Sequence, residues 1–193
     1  MATARRLPPA ARRMQLIAAA IEVFAEREED EVGLEDLAAA AGVTRNLLYR
    51  YFASRGDLHH AAVVEAMARL APRMDTDPGR ALDEKLPRNV ARWLDAVEER
   101  DPAMLLVVRA GRSSDPQVAA AAAAAREALT RAIARNHLGV DDPPPAALAA
   151  LDGYLALAER LIDRWTADGD LDRAAVERVL ADVLRPLVAA VAR

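Results

Sequence analysis

Between Thr44 and Arg55 the run TRNLLYRYFASR gathers two hydroxyls, two phenols, an amide and three guanidinium groups. Such groups bind phosphates and base edges; no nucleophile stands beside a base, so their chemistry is recognition. Arg45 and Asn46 are the base-reading candidates, because arginine suits guanine and asparagine suits adenine in the major groove. Leu47 can touch a thymine methyl or shield its helix. Tyr49 and Tyr51 can each reach a phosphate through the phenol, or one of them packs inward. Arg50 and Arg55 can pair with phosphate or remain solvated charges, and Thr44 can contact phosphate besides capping a helix.

The elements that must position these groups precede them directly. In LEDLAAAAGV, Leu34, Leu37, Ala38 and Ala41 recur at helical spacing, and Gly42 stands where a helix ends in a left-handed residue. Val43 can plug the turn from inside. Thr44 then caps a second helix, Arg45 to about Tyr51, with Leu48 and Phe52 facing a core. Two short helices around a glycine turn make a helix-turn-helix, a reader of double-stranded DNA.

Composition sets the wider frame. Strong helix formers dominate, with 8 glycines and 4% aromatics among 193 residues, so an all-α fold is expected. No cysteine is present, which suits a reducing cytoplasm. No run approaches a membrane span, and no spacing of His59, His60 and His137 suits a metal. No cofactor and no enzymatic activity are expected. The net charge is −4, but its distribution is uneven. Arg5, Arg6, Arg12 and Arg13 form a basic start, which can be a minor-groove arm or a solubilising tail, and Arg45, Arg50 and Arg55 form a second cluster. The acidic stretch EREEDE, residues 26–31, lies between them and opposes DNA phosphates unless it projects sideways.

About nine helices are expected. The first runs from Pro8 or Pro9 to about Arg27, and the fourth from Asp57 to about Ala71. Asp77-Pro78, Asp101-Pro102 and Asp115-Pro116 each pair a cap with a first-turn proline. They place helices near 79–100, 102–111 and 115–137, and two longer ones near 144–167 and 171–192, the last capped by Asp170. Pro186 should kink the final helix or end it early.

With RRMQLIAAAIEVFAE, LEDLAAAAGV, TRNLLYRYF and SRGDL in this order, the chain resembles the TetR family of transcriptional regulators, most specifically over residues 12–60. The resemblance implies a three-helix DNA-binding domain at 1–56, with a flexible arm at 1–10, and a helical effector-binding and dimerisation domain at 57–193. It also implies a homodimeric repressor released from its operator by a small molecule. The apolar last two helices suit pairing with a second copy. Glu28, Glu29, Gly33, Asn46 and Leu47 depart from the family pattern, so the operator sequence cannot be carried over. The acidic loop keeps a rival open, a helical small-molecule- or partner-binding protein with a weakened DNA head. For the effector, the scarce bulky residues Trp93, Met104, Tyr154 and Trp165 are candidates, each equally explained as core. Arg109, at the end of an apolar helix, could meet an anionic effector or pair with Glu159 or Asp163.

Overall fold

The structure is a computed structural model and describes residues 7–73, 77, 80–111, 113–138 and 142–191. All regular structure among these residues is helical: α1 (Pro9–Glu26), α2 (Leu34–Ala40), α3 (Arg45–Tyr49), α4 (Arg55–Leu70), α5 (Leu82–Glu98), α6 (Pro102–Ala110), α7 (Pro116–Leu138), α8 (Pro145–Asp163) and α9 (Arg173–Val191). None of these helices is long and apolar enough to cross a membrane.

Packing separates residues 1–68 with 102–122 from residues 69–101 with 123–193. In the first unit α1 lies on α6 and α2, and α2 on α3. The apolar stripe of α1, Leu16, Ile17, Ala20, Ile21 and Phe24, is buried together with Leu37, Leu48, Phe52 and Leu58. Leu48 is wholly buried, and emptying such a site costs about 2–5 kcal/mol. In the second unit α9 packs on both α5 and α8, with Leu94, Leu151, Val176 and Leu180 at the centre.

The local signals set most helix ends. The amide of Gln117 donates to the Asp115 carboxylate at 2.8 Å, and α7 starts at Pro116 as the Asp-Pro pair requires. Helix α6 likewise starts at Pro102. Asp77-Pro78 does not open α5, which starts at Leu82 behind Ala81, while the Asp77 carbonyl accepts from the Arg80 amide. Asp170 does not cap α9. Asp172 does, accepting from the Ala175 amide at 2.6 Å, and Asp170 is instead paired with Arg164. Helix α9 continues through Pro186 rather than ending before it, and α5 accommodates Pro87 in the same way.

Candidate nucleic-acid interface

The turn between α2 and α3 is closed by a specific hydrogen-bond pair. Gly42 sits at φ +65°, its amide donates to the Ala39 carbonyl, and the Val43 amide reaches back to Ala38 at 2.9 Å. This six-to-one and five-to-two pattern satisfies two end carbonyls of α2 and reverses the chain. Thr44 Oγ1 then accepts from the Leu47 amide at 3.3 Å, capping α3. The Gln15 side chain donates to the Ala41 carbonyl at 3.0 Å and ties α1 to the same turn. At the other end of α2 the Gly33 amide donates to Asp36, which also pairs with Arg27 at 3.0 Å. First the Gly33 amide and then Arg27 hold the Asp36 carboxyl below its ordinary range.

The faces of α3 are segregated. Leu48 and Phe52 point into the core, whereas Thr44, Arg45, Asn46, Tyr49 and Arg50 are exposed and Leu47 and Tyr51 half-buried. Tyr49 keeps 42% of its surface in solvent, a large aromatic left open for its size. The Arg45 guanidinium lies over the Tyr49 ring, 5.5 Å from its centroid, donates to the Tyr49 hydroxyl at 3.2 Å, and pairs with Glu35 of α2. Tyr49 and then Glu35 stabilise its charge further. The pairing of Glu35 with Arg45 spans ten positions and needs the folded turn, so no local signal in the sequence reveals it.

Arg55 behaves differently from the rest of the set. Its guanidinium donates to the carbonyls of Glu29 at 2.6 Å and Val32 at 3.1 Å, and lies 3.7 Å from the Glu29 carboxylate. Thus the acidic stretch folds back on its own unit. Glu29 keeps only 14% of its side chain exposed, accepts a hydrogen bond from Ser113, and approaches Nδ1 of His59 at 3.5 Å. Glu28 pairs with Arg109 at 3.1 Å, so the partner of Arg109 is neither Glu159 nor Asp163. Glu159 is taken by Arg126.

His59 stacks on Phe24 with ring centroids 4.0 Å apart, and its buried Nδ1 lacks a well-formed hydrogen bond. Burial is the largest influence and holds the imidazole below its ordinary value, against the opposing charge of Glu29. These residues line a cavity of about 140 Å³ with Leu106, Arg109 and Ser113. No group of three or more His, Cys, Asp or Glu that could hold a metal occurs among the described residues.

The basic start divides. Arg12 and Arg13 stand within α1, Arg12 bonded to Gln15 and Arg13 lying 4.9 Å from the Phe52 ring centroid, whereas Arg5 and Arg6 lie outside the described residues. The five effector candidates are not one cluster. Met104 and Arg109 belong to the first unit; Trp93, Tyr154 and Trp165 belong to the second. Met104 is buried, and the buried Tyr154 hydroxyl donates to the Leu180 carbonyl at 3.2 Å. Trp93 on α5 and Trp165, in the π turn Arg164–Asp168, remain half-buried.

The chain is matched along most of its length. Residues 16–62 match bacterial regulatory proteins of the tetR family, and residues 82–185 match the tetracyclin repressor-like C-terminal domain. It is 33% identical over 134 residues to the HTH-type transcriptional activator FasR of Mycolicibacterium smegmatis, covering 66% of this chain and 59% of that protein. An HTH-type transcriptional regulator of Mycobacterium tuberculosis is 28% identical over 192 residues, covering 97% and 92% of the two chains. A TetR-family regulator from Streptomyces coelicolor superposes with a TM-score of 0.74 at 26% identity, covering 96% of this chain and 83% of that one. Family members bind DNA operators, dimerise and are not enzymes. With a matching helix-turn-helix, a matching C-terminal domain and an all-helical architecture, the chain belongs to the TetR family of DNA-binding transcriptional regulators.

Proposed function

We propose that α3 enters the major groove of an operator with Arg45 and Asn46 reading bases, and that the protein acts as a homodimeric repressor released by a small molecule. The observation that carries the DNA reading is the exposed polar face of α3, held by buried Leu48 on one side and by the Thr44 cap at its start. On this reading Thr44, Tyr49, Arg50 and Tyr51 hold phosphates, and Leu47 meets a thymine methyl. Arg55 acts one step behind, anchoring the acidic loop through its carbonyls. Within the loop Glu29 is spent on internal partners and Glu28 pairs with Arg109, which reduces the charge set against phosphates and supports a working head over a weakened one, although Glu26, Asp30 and Glu31 stay exposed.

So short a reading helix touches few base pairs, so two copies are needed for useful specificity. The α8–α9 hairpin is the proposed dimer contact; Val179 on α9 leaves 40% of a large apolar side chain exposed. Effector binding is assigned to the larger helical part, with Trp93 and Trp165 as its reporters, and cytoplasmic residence fits the role. Because α4 runs through residues of both compact units, an effector that favours one arrangement of α4 would change the spacing of two heads. Selection of bound duplexes from a random library by the full chain tests the reading. A reproducible, two-fold symmetric site is expected, and recovery of unrelated sequences would remove it. Quenching of the two tryptophans identifies effectors, and an effector that leaves operator affinity unchanged refutes release.

A further inference from the structure

We infer that Glu35 is a specificity-determining positioning residue, acting through Arg45 to hold its guanidinium for guanine. This rests on the reading of Arg45 as a base-contacting residue. An arginine makes a base-specific bidentate contact with two parallel N–H groups, and the same side chain, if free to swing, binds any phosphate in reach. What separates the two outcomes is orientation. Arg45 is exposed, so burial does not orient it; three contacts do. Glu35 pairs with Nη1, the Tyr49 hydroxyl accepts from Nη2 at 3.2 Å, and the guanidinium carbon lies over the Tyr49 ring, 5.5 Å from its centroid. A guanidinium has five N–H donors. Two are engaged by these partners, and no other hydrogen bond of Arg45 is present among the described residues. The flanked fork therefore retains donors for a base edge.

Glu35 has a second effect from the same position. Its side chain, 68% exposed in the first turn of α2, brings a negative charge beside the reading face. That charge opposes phosphates approaching in a nonspecific mode while offsetting the charge of Arg45, which would otherwise help to recruit them. Tyr49 is thereby a platform as well as a candidate phosphate contact.

The test uses the full-length chain, a duplex selected from a random library by the wild-type protein, and a scrambled duplex of equal length. Affinities are measured over a range of salt for the wild type, Glu35→Gln, Arg45→Ala and the double variant. Glu35→Gln should strengthen binding to the scrambled duplex by about 3–5-fold, as expected for release of an exposed ion pair. Its salt slope there should steepen by about 0.9, the signature of one additional phosphate contact. The ratio of selected to scrambled affinity should fall, guanine preference should relax, and Glu35→Asp should restore part of both. In the Arg45→Ala background Glu35→Gln should no longer change the ratio. Equal strengthening on both duplexes, or an effect that persists without Arg45, would overturn the positioning role and leave only charge repulsion. An Arg45→Ala ratio equal to that of the wild type would remove Arg45 from base reading, a distinct result. Thermal unfolding of Glu35→Gln should match the wild type, so a purely structural role cannot produce the expected pattern.

Discussion

Two helices in this protein end in the same hydrogen-bond motif with different residues at the left-handed position, and that contrast yields opposite stability changes. After α2 the position is held by Gly42 at φ +65°; after α5 it is held by Arg100 at φ +54°. In both cases a six-to-one bond follows, from Val43 to Ala38 and from Asp101 to Ala96. A Cβ in this region costs about 1–2 kcal/mol, and glycine loses about 0.4–1 kcal/mol more backbone entropy on folding than alanine does. A Cβ built on Gly42 meets nothing within 4 Å, so backbone strain alone sets the sign. Gly42→Ala should destabilise by about 1 kcal/mol, Gly42→Asn by less, and Arg100→Gly should stabilise by a similar amount. For a chain of this length about 1 kcal/mol moves the melting midpoint by about 2–4 °C. Circular dichroism melts at fixed protein concentration measure it, with operator affinity as the second readout. Only Gly42→Ala should weaken operator binding, because only that turn sets the angle at which α3 leaves α2. A Gly42→Ala variant as stable as the wild type, or an Arg100→Gly variant that is destabilised, would refute the backbone argument.

Tyr154→Phe should cost about 1 kcal/mol by removing the hydroxyl's hydrogen bond to the Leu180 carbonyl, with operator affinity unchanged at saturating protein; chemical denaturation checks this. Arg55→Ala should destabilise by about 1.5–3 kcal/mol, because the Glu29 and Val32 carbonyls lose their charged donor. Its salt slope for DNA should stay unchanged, whereas a slope reduced by about 0.9 would restore Arg55 as a phosphate contact. His59 sets a pH dependence. Burial holds its folded value below the ordinary 6.5, so the unfolded chain binds the proton more readily. Its contribution is absent above the unfolded value and destabilises progressively as pH falls below about 6.5 towards the folded value. Unfolding midpoints compared at pH 7.5 and 5.5 should drop more for the wild type than for His59→Phe. Equal drops would remove His59 as the source.

The helix-turn-helix was legible in the sequence because its determinants are local. Gly42, Thr44 and the spacing of Leu37, Ala38, Leu48 and Phe52 each act within one or two helical turns. Asp101-Pro102 and Asp115-Pro116 located their helices for the same reason. Where two local signals competed, as with Asp170 and Asp172 before α9, only the folded chain showed which aspartate faces the free amides and which meets Arg164. Pro186 was a poor stop signal because the rest of α9 remains anchored by packing, which compensates for one missing hydrogen bond, and α5 runs through Pro87 in the same way. The fate of the charges was not legible at all. Arg55 finds its carbonyl acceptors 23 and 26 positions away, and Ser113 reaches Glu29 across 84 positions. Of the acidic run that reads as a barrier to DNA, Glu29 turns inward and Glu28 pairs with Arg109, while Glu26, Asp30 and Glu31 stay exposed. Bulk, the feature shared by Trp93, Met104, Tyr154 and Trp165, does not distinguish a lining residue from a core one; Tyr154 is a buried hydrogen-bond donor.

The central claim is that α3 reads double-stranded DNA by sequence. It is tested most directly by titrating the full chain against its library-selected duplex and a scrambled control between 50 and 200 mM salt, with Arg45→Ala and Asn46→Ala in parallel. The account predicts a linear fall of log K with log salt on both duplexes, and a preference of about 10³-fold or more for the selected one. It also predicts that each substitution reduces that preference at its own base position, by about 1–3 kcal/mol. Equal affinity for selected and scrambled duplexes, or a preference untouched by either substitution, would contradict it.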